Sequence, residues 1–230
     1  MPHNVDHHAI LDRLAATRGG ARNAFGAVDP RRTAHLVIDM QNGFMEPGAP
    51  VEVPEARSIV DNINRISAAV RESGGLNVFV RFTTPEGEAP AWPVFMERLG
   101  AAAGEIHRAA FMPGAHHWQF WPTLDIADGD VTIDKYRFSA FTPGASGLDR
   151  LLRERGIDTV IVTGTLTNCC CESTARDAMQ LNYRVLFAAD ANAALSDEAH
   201  AATLASMALV FADLHSTDEL AKLLEVSVDA

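Results

Sequence analysis

Apolar positions along the first third of the chain follow two patterns in succession. Residues 34–38 form a short, mostly apolar, β-branched run that ends at Asp39, which is typical of a buried strand with polar groups at its carboxyl end. From residue 54 to 73 the apolar positions follow helical spacing, and a Gly-Gly pair supplies a stop. A second strand is predicted directly afterwards, over residues 76–81.

The same alternation of strand and helix patterns returns after residue 130. The patterns predict strands at 131–134, 159–163, 184–189 and 209–212, and helices at 147–155, 170–181 and 197–207. Strands that alternate with helices pair in parallel, because each crossover helix covers one face of the sheet. We therefore expect an α/β fold: a three-layer α/β/α sandwich with a mostly parallel, about six-stranded Rossmann-like sheet. Ligands in such folds bind at the carboxyl ends of the strands.

Two segments fall outside this alternation. Residues 82–129 are rich in Pro, Gly and aromatic residues and have only a modest helical pattern around 94–103. They are interpreted as an irregular insertion that covers the ligand site. Residues 1–32 are interpreted as an N-terminal arm, which either packs on a neighbouring subunit or frays. Residues 33–230 then form a single domain, without an internal repeat or linker.

Composition and charge exclude several classes of partner. The 230 residues are 47% hydrophobic and 21% charged, which suits one large domain, and the net charge is -11. This charge repels a phosphate backbone or an anionic membrane, so no nucleic acid and no membrane is expected as a partner. The three cysteines are consecutive, which excludes a spaced disulfide framework and a Cys-x-x-Cys zinc site. A cytoplasmic location is expected, because neither a secretory signal nor a membrane span is recognisable.

The cysteines, 169 to 171, lie where the strand predicted at 159–163 passes through a Gly-containing turn into a helix. Unpaired backbone N–H groups and the helix dipole at such a start favour a thiolate, and can also hold a developing oxyanion. Successive helical residues are about 100° apart, so at most one of the three side chains faces a given site. Which cysteine does so stays open at this point. The alternative is that all three are small, buried apolar residues.

Two charged residues follow strands that end at the same edge of the predicted sheet. Asp39 follows the first predicted strand and Lys135 follows the third. A carboxylate can act as a base toward a thiol, and an ammonium group stabilises thiolate, carboxylate and oxyanion alike. The alternative is an ordinary ion pair, or two solvated charges.

Three longer sequence elements add a family resemblance. They are VIDMQNGF at 37–44, IDKYRFSAF at 133–141 and VTGTLTNCCCESTARDA at 162–178. Together, over about residues 33–220, the chain resembles the isochorismatase-like cysteine hydrolases, which include nicotinamidases and the amidohydrolases of N-carbamoylsarcosine, ureidoacrylate and biuret. The resemblance implies an isochorismatase-like hydrolase domain over 33–230.

The resemblance also implies specific residues for the reaction. It implies a catalytic triad of Asp39, Lys135 and Cys170, because the family's nucleophile stands third after the Thr of its Thr-Asn step. It further implies that the backbone amides of Leu166 and Cys170 form an oxyanion hole, and that the peptide bond between Thr165 and Leu166 is cis. No cofactor is required by this chemistry. Family members are commonly dimers or tetramers, so a homodimer or homotetramer is expected.

Departures from the family pattern narrow the expected activity. Nicotinamidases carry an Asp-x-His metal signature after the second strand, where this chain reads RFTTPEG at 81–87. A metal-dependent nicotinamidase is therefore disfavoured, and no metal is expected. Isochorismatases proper generally lack the nucleophilic cysteine. Cys170 thus favours an amidohydrolase that cleaves a C–N bond of a small amide, ureide or carbamoyl substrate through a thioester acyl-enzyme.

Within the family, the steps Thr-Asn at 167–168 and Glu-Ser-Thr at 172–174 are most similar to the ureidoacrylate branch. The alternatives are an isochorismatase-type vinyl ether hydrolase, a non-catalytic member of the fold, and a redox sensor that uses one of the adjacent thiols.

Candidate substrate contacts come from the loop after Asp39 and from aromatic residues near the insertion, which could exclude water from a small pocket. For each aromatic residue the alternative is packing in the core. His116 and His117 are interpreted as loop histidines and not as metal ligands, because adjacent side chains seldom face one centre and no carboxylate is spaced to complete a site. The candidate contacts are Gln41, Phe44, Trp92, Trp118, Phe138 and Phe141.

Overall fold

A parallel sheet of six strands forms the centre of the computed structural model, which describes residues 3–17, 19–85 and 92–226. The strands are β1 (Thr33–Ile38), β2 (Leu76–Phe82), β3 (Val131–Lys135), β4 (Thr159–Thr165), β5 (Arg184–Ala193) and β6 (Asp213–His215). Their order across the sheet is β3-β2-β1-β4-β5-β6, and every neighbouring pair is parallel.

Helices connect and cover these strands. They are α1 (His7–Ala15), α2 (Asn42–Met45), α3 (Val60–Glu72), α4 (Pro93–Leu99), α5 (Ala101–Ala110), α6 (Leu148–Glu154), α7 (Glu172–Gln180), α8 (Asp197–Ser206) and α9 (Thr217–Val226). Short 3₁₀ turns lie at Pro30–Arg32, Pro54–Ile59 and His116–Trp118, and π-helical turns at Thr167–Cys171 and Met207–Phe211.

Two apolar clusters, one on each face of the sheet, make the predicted three-layer α/β/α sandwich. One cluster contains buried residues of α1, α6, α7 and α8, and the other contains buried residues of α3 and α9. All six residues of β1 are buried, as a central parallel strand covered on both faces requires. The fold class predicted from the alternation of strand and helix patterns is confirmed.

Strand β4 approaches the carboxyl end of its neighbour β1 closely. Ile38 of β1 is in register with Gly164 of β4. Gly164 has a φ of 119°, and a Cβ there would lie 2.1 Å from the carbonyl oxygen of Ile38. Only glycine allows this approach, which brings the residues that follow β1 and β4 together.

The last strand predicted, at 209–212, is wrong. The apolar run that suggested it belongs to the π-helical turn Met207–Phe211, where Leu209 and Val210 are more than half exposed. The strand is Asp213–His215, whose polar side chains are buried. Asp213 accepts hydrogen bonds from the backbone amides of Ala24 and Phe25, at 2.8 and 2.7 Å, which accounts for a carboxylate inside a strand.

Part of the N-terminal segment folds against the body of the same chain. Its helix α1 packs on the first of the two apolar clusters. Ile10 and Leu11 are buried in the cluster that contains Leu204 of α8. Burial of these two side chains explains why the segment is ordered against the domain.

The insertion contains more helix than the pattern predicted. Helices α4 and α5 replace the single helical pattern around 94–103, and they are separated at Gly100, whose φ is 79°. The predicted helix over 54–73 likewise divides into a 3₁₀ turn and α3, and α9 was not predicted. Across the described part of the chain, none of the helices combines the length and apolar character that crossing a membrane requires.

Candidate active site

Three predicted catalytic side chains meet at the carboxyl edge of the sheet. Asp39 directly follows β1, Lys135 is the last residue of β3, and Cys170 lies in the turn after β4. Strand β2 lies between β1 and β3, so Lys135 is not on a strand adjacent to β1. The long lysine side chain spans this gap and places its ammonium 4.9 Å from the centre of the Phe82 ring at the end of β2.

The contacts among these three residues are short and shielded from solvent. Lys135 Nζ lies 2.8 Å from Asp39 Oδ2 and 3.5 Å from Cys170 Sγ, and it donates to the carbonyl of Arg137 at 3.1 Å. The Asp39 and Lys135 side chains are fully buried, and Cys170 is 4% exposed. A buried ammonium therefore bridges a carboxylate and a thiol.

Burial and mutual charge shift the pKa of each group. Burial raises the pKa of Asp39, although the Lys135 charge opposes the rise. Burial would lower the pKa of Lys135, but the neighbouring Asp39 and Cys170 raise it above its ordinary value. The pKa of Cys170 is raised by its hydrogen bond with Cys169, by burial and by the Asp39 charge. The raised pKa favours the neutral thiol of Cys170, in contrast to the thiolate that a helix start favours.

The backbone around this cluster has unusual geometry at two places. Asp39 has a positive φ of 54°, a region that Asp tolerates better than most residues, and its amide donates to Val80 at 2.9 Å. The peptide bond between Thr165 and Leu166 is cis. The helix predicted to start at 170 begins at Glu172, after a π-helical turn of the kind often found at functional sites.

The three consecutive cysteines have different surroundings. Cys170 contacts Lys135, whereas Cys171 is fully buried with its Sγ 3.9 Å from the carbonyl of Thr163. Cys169 is partly buried and lies beside Cys170. The amides of Cys169 and Cys171 both donate to the carbonyl of Leu166, at 3.1 and 3.2 Å. The Cys170 side chain alone combines contact with Lys135 and proximity to Asp39.

A buried histidine supports the turn that carries Cys170. His200 on α8 lies 2.9 Å through Nδ1 from Thr167 Oγ1 and 3.0 Å through Nε2 from the carbonyl of Ala189. Its ring stacks on His3 at 4.2 Å between centroids. Burial lowers the pKa of His200 to about 4, so the ring is neutral at pH 7 and can accept from Thr167. Sequence reasoning missed this connection between the N-terminal segment and the turn that carries Cys170.

Replacing His200 with alanine is expected to lower the free energy of unfolding by about 1–3 kcal/mol, because Thr167 and Ala189 lose a buried hydrogen-bond partner. Urea unfolding followed by circular dichroism measures this change. His8→Ala is the control, since that imidazole is 45% exposed. Equal unfolding midpoints for the two variants would contradict the supporting role of His200.

Two of the predicted substrate contacts lie in an aromatic cluster close to Lys135. Trp92 packs edge-on against Phe138 at 4.8 Å and stacks on Phe95 at 4.5 Å between ring centroids. Phe95 contacts His107 at 5.1 Å, and His107 contacts Phe82 at 5.3 Å. Phe82 lies beneath the Lys135 ammonium, so this cluster extends from the insertion to the carboxyl edge of the sheet.

The other aromatic residues predicted to contact substrate pack against side chains of the protein. Phe44 packs on Phe111 and Phe141 on Tyr183, with centroids 4.9 and 5.5 Å apart, and both phenylalanines are buried in the core. Trp118 lies under the Arg81 guanidinium, 3.3 Å from its ring centre. These surroundings favour packing over substrate contact.

The Gln41 side chain forms hydrogen bonds with backbone groups of two other segments. It donates to the carbonyls of Phe82 and Trp118, both at 2.9 Å, and accepts from the Phe82 amide at 2.7 Å. Gln41 therefore fixes the loop after Asp39 against the end of β2 and the insertion.

Metal-ligating side chains cluster at two other places in the described ranges. The clusters are Glu46, His116 and His117, and His7, His8 and Glu219. Neither includes Asp39, Lys135 or Cys170.

Comparison with known proteins shows the family. A family model described as the Isochorismatase domain matches residues 33–219, and the chain belongs to this family of hydrolases. The chain is 32% identical over 169 residues to the ureidoacrylate amidohydrolase RutB of Klebsiella pneumoniae. The aligned region covers 67% of this chain and 70% of that protein.

Solved structures agree with this assignment. A cysteine hydrolase from Pseudomonas syringae pv. phaseolicola 1448A superposes with a TM-score of 0.80 at 28% identity, over 89% of this chain and 98% of that one. The N-carbamoylsarcosine amidase from Thermoplasma acidophilum superposes with a TM-score of 0.67 at 27% identity, over 82% and 98% of the two chains. The relatives thus include amidohydrolases, which act on C–N bonds.

Proposed function

We propose that this protein is a cysteine-dependent amidohydrolase that cleaves a C–N bond of a small amide, ureide or carbamoyl compound through a thioester acyl-enzyme. The observation that carries the proposal is the buried contact of Lys135 with both Asp39 and Cys170. A thiol, a carboxylate and a fixed positive charge at one point supply a nucleophile, its base and electrostatic support.

The first half of the reaction forms the thioester. Asp39 takes the proton of the Cys170 thiol, and its burial-raised pKa matches it better to this task than an ordinary carboxylate. The thiolate attacks the carbonyl carbon of the substrate, and the resulting oxyanion accepts hydrogen bonds from the amides of Leu166 and Cys170. Lys135 remains protonated and offsets the negative charge throughout.

The second half releases both products. Asp39 returns its proton to the leaving nitrogen as the C–N bond breaks, so that ammonia or an amine departs and the acyl group stays on Cys170. Water then attacks the thioester, with Asp39 again accepting a proton, and the C–S bond breaks to regenerate the thiol. Each proton taken by Asp39 is returned within the cycle.

The substrate class rests on the relatives and on the aromatic cluster that reaches the site. The cluster formed by Trp92, Phe95 and Phe138 connects through His107 to Phe82, which lies beneath the Lys135 ammonium, and an aromatic lining there suits a small planar substrate. Similarity to RutB and to N-carbamoylsarcosine amidase supports cleavage of a C–N bond within a ureide or carbamoyl group. The proposal for this chain names a substrate class and no single compound.

A screen of ammonia release across ureides, N-carbamoyl amino acids and primary amides tests the proposal. We expect at least one compound to be hydrolysed by the wild-type protein, with a preference for ureides and carbamoyl compounds over simple amides. Cys170→Ala, prepared in the same way, is the control for contaminating activity. Hydrolysis of a vinyl ether with none of the C–N substrates consumed would overturn the proposal.

A further inference from the structure

Three metal-ligating side chains converge where α2 meets the 3₁₀ turn of the insertion. Glu46 Oε2 lies 2.8 Å from His116 Nε2 and 3.5 Å from His117 Nε2. The expectation that no carboxylate accompanies the histidine pair is wrong, because Glu46 comes from 70 residues earlier in the chain. Both imidazoles present the same kind of nitrogen to one carboxylate.

The spacing of these donor atoms suits a transition-metal ion. Zinc binds His nitrogen and carboxylate oxygen at about 2.0–2.2 Å, which places tetrahedral ligands about 3.3–3.5 Å from one another. The 3.5 Å separation of Glu46 and His117 matches this range, whereas the 2.8 Å contact of Glu46 with His116 is a hydrogen bond that lengthens when an ion enters. All three donor atoms lie within 4.8 Å of one another. We propose that Glu46, His116 and His117 bind one divalent cation of the zinc class, with solvent in the remaining position.

The backbone that carries the ligands is already fixed. Asn42 at the start of α2 donates through its side chain to the carbonyl of His116 at 3.0 Å, and its amide donates to Gln119 at 2.9 Å. The amide of Glu46 donates back to Asn42 at 2.9 Å. The segments that hold the carboxylate and the histidines are therefore bound to each other without the ion, so little ordering opposes binding.

A glycine permits this close approach. A Cβ on Gly43 would lie 2.6 Å from the Phe111 ring and 3.1 Å from the carbonyl of His117. The ion would thus link α2 to the turn at 116–118, whose Trp118 carbonyl is held by Gln41. The site fastens the insertion to the loop after Asp39 and takes no part in bond cleavage.

The second cluster, of His7, His8 and Glu219, is a poorer candidate. Its His–Glu distances, 3.4 and 3.9 Å, are compatible with an ion, but Oε2 of Glu219, the oxygen nearest His7, already accepts from both the amide and the hydroxyl of Ser216. A carboxylate oxygen that accepts these hydrogen bonds has fewer lone pairs left to bind a cation. This cluster therefore supplies a matched control.

Cobalt titration of the full-length Cys170→Ala protein tests the proposal, since visible absorption of Co²⁺ reports its coordination. We expect one equivalent of Co²⁺ to bind with the absorption of a four- or five-coordinate nitrogen and oxygen site, and Zn²⁺ to displace it. Glu46→Gln and His117→Asn should each weaken binding at least about tenfold. His8→Asn should leave the affinity unchanged.

Three results would overturn the metal site. They are absence of stoichiometric binding, a sulfur-to-cobalt charge-transfer band that assigns the ion to the remaining cysteines, and a loss of affinity in His8→Asn that is absent in His117→Asn. Because binding is measured in a protein without Cys170, the outcome is independent of the proposed hydrolase activity.

Discussion

Cys170→Ala is expected to lower the turnover of the best substrate by about four to six orders of magnitude, as removal of a catalytic nucleophile does in other acyl-transfer enzymes. In the proposed mechanism the Cys170 sulfur forms the covalent intermediate, and neither neighbouring thiol shares its contact with Lys135. Steady-state assays of ammonia release measure the effect, at protein concentrations high enough to quantify a slow residual rate.

Cys171→Ala is the matched control for this prediction. Cys171 is also buried and is adjacent in sequence, but its Sγ lies against the carbonyl of Thr163. Its truncation removes packing only, so turnover should stay within about tenfold of the wild type. A Cys170→Ala protein that retains turnover while Cys171→Ala loses it would move the nucleophile to the other cysteine.

Lys135→Met is expected to destabilise the fold by about 3–5 kcal/mol and also to abolish turnover. The substitution preserves the length of the side chain but leaves the fully buried Asp39 carboxylate without its cation. Asp39 would then take up a proton to avoid an unpaired buried charge, and a protonated Asp39 cannot act as a base. Urea unfolding at pH 7 and the ammonia-release assay measure the two effects.

The double variant Asp39→Asn, Lys135→Met separates charge from packing. Asn tolerates the positive φ at this position, and the pair without charges no longer carries an uncompensated ion. The double variant should therefore be more stable than Lys135→Met, while remaining inactive. If the double variant loses as much stability as Lys135→Met, or more, then Lys135 does not stabilise the fold by neutralising Asp39.

Much of the fold could be predicted from the sequence, because buried parallel strands and amphipathic helices each leave a distinct apolar pattern. The pattern failed at the final strand, where the polar residues Asp213 and His215 are buried by specific hydrogen bonds and sheet packing. It failed again in the turn at 207–211, whose apolar side chains are exposed. Apolar content alone therefore misplaced the sheet edge.

The candidate site could be predicted only in part. Asp39 and Lys135 were identifiable because each ends a strand, but the sequence does not determine that β2 separates their strands. Their roles with Cys170 remain predictions. The Lys135 side chain extends over Phe82 to Asp39 because β2 lies between β1 and β3. This strand order is a property of the folded sheet.

Contacts between distant parts of the chain left no local signal. His3 stacks on His200, 197 positions later, and Glu46 meets His116 and His117 across 70 residues. Each of these residues lies in a segment with no recognisable motif. Pairing of separated side chains is set by tertiary packing, so neither connection could be inferred from spacing along the chain.

The central claim is that a covalent acyl-enzyme forms on Cys170. Acid quenching of the wild-type enzyme during turnover of its best substrate, followed by intact-mass spectrometry and peptide mapping, tests it most directly, because thioesters survive in acid. We expect a mass increase equal to the acyl portion of the substrate, located on Cys170 and absent from Cys170→Ala. An acyl group mapped to Cys169 or Cys171, or the same adduct and turnover in Cys170→Ala, would contradict it.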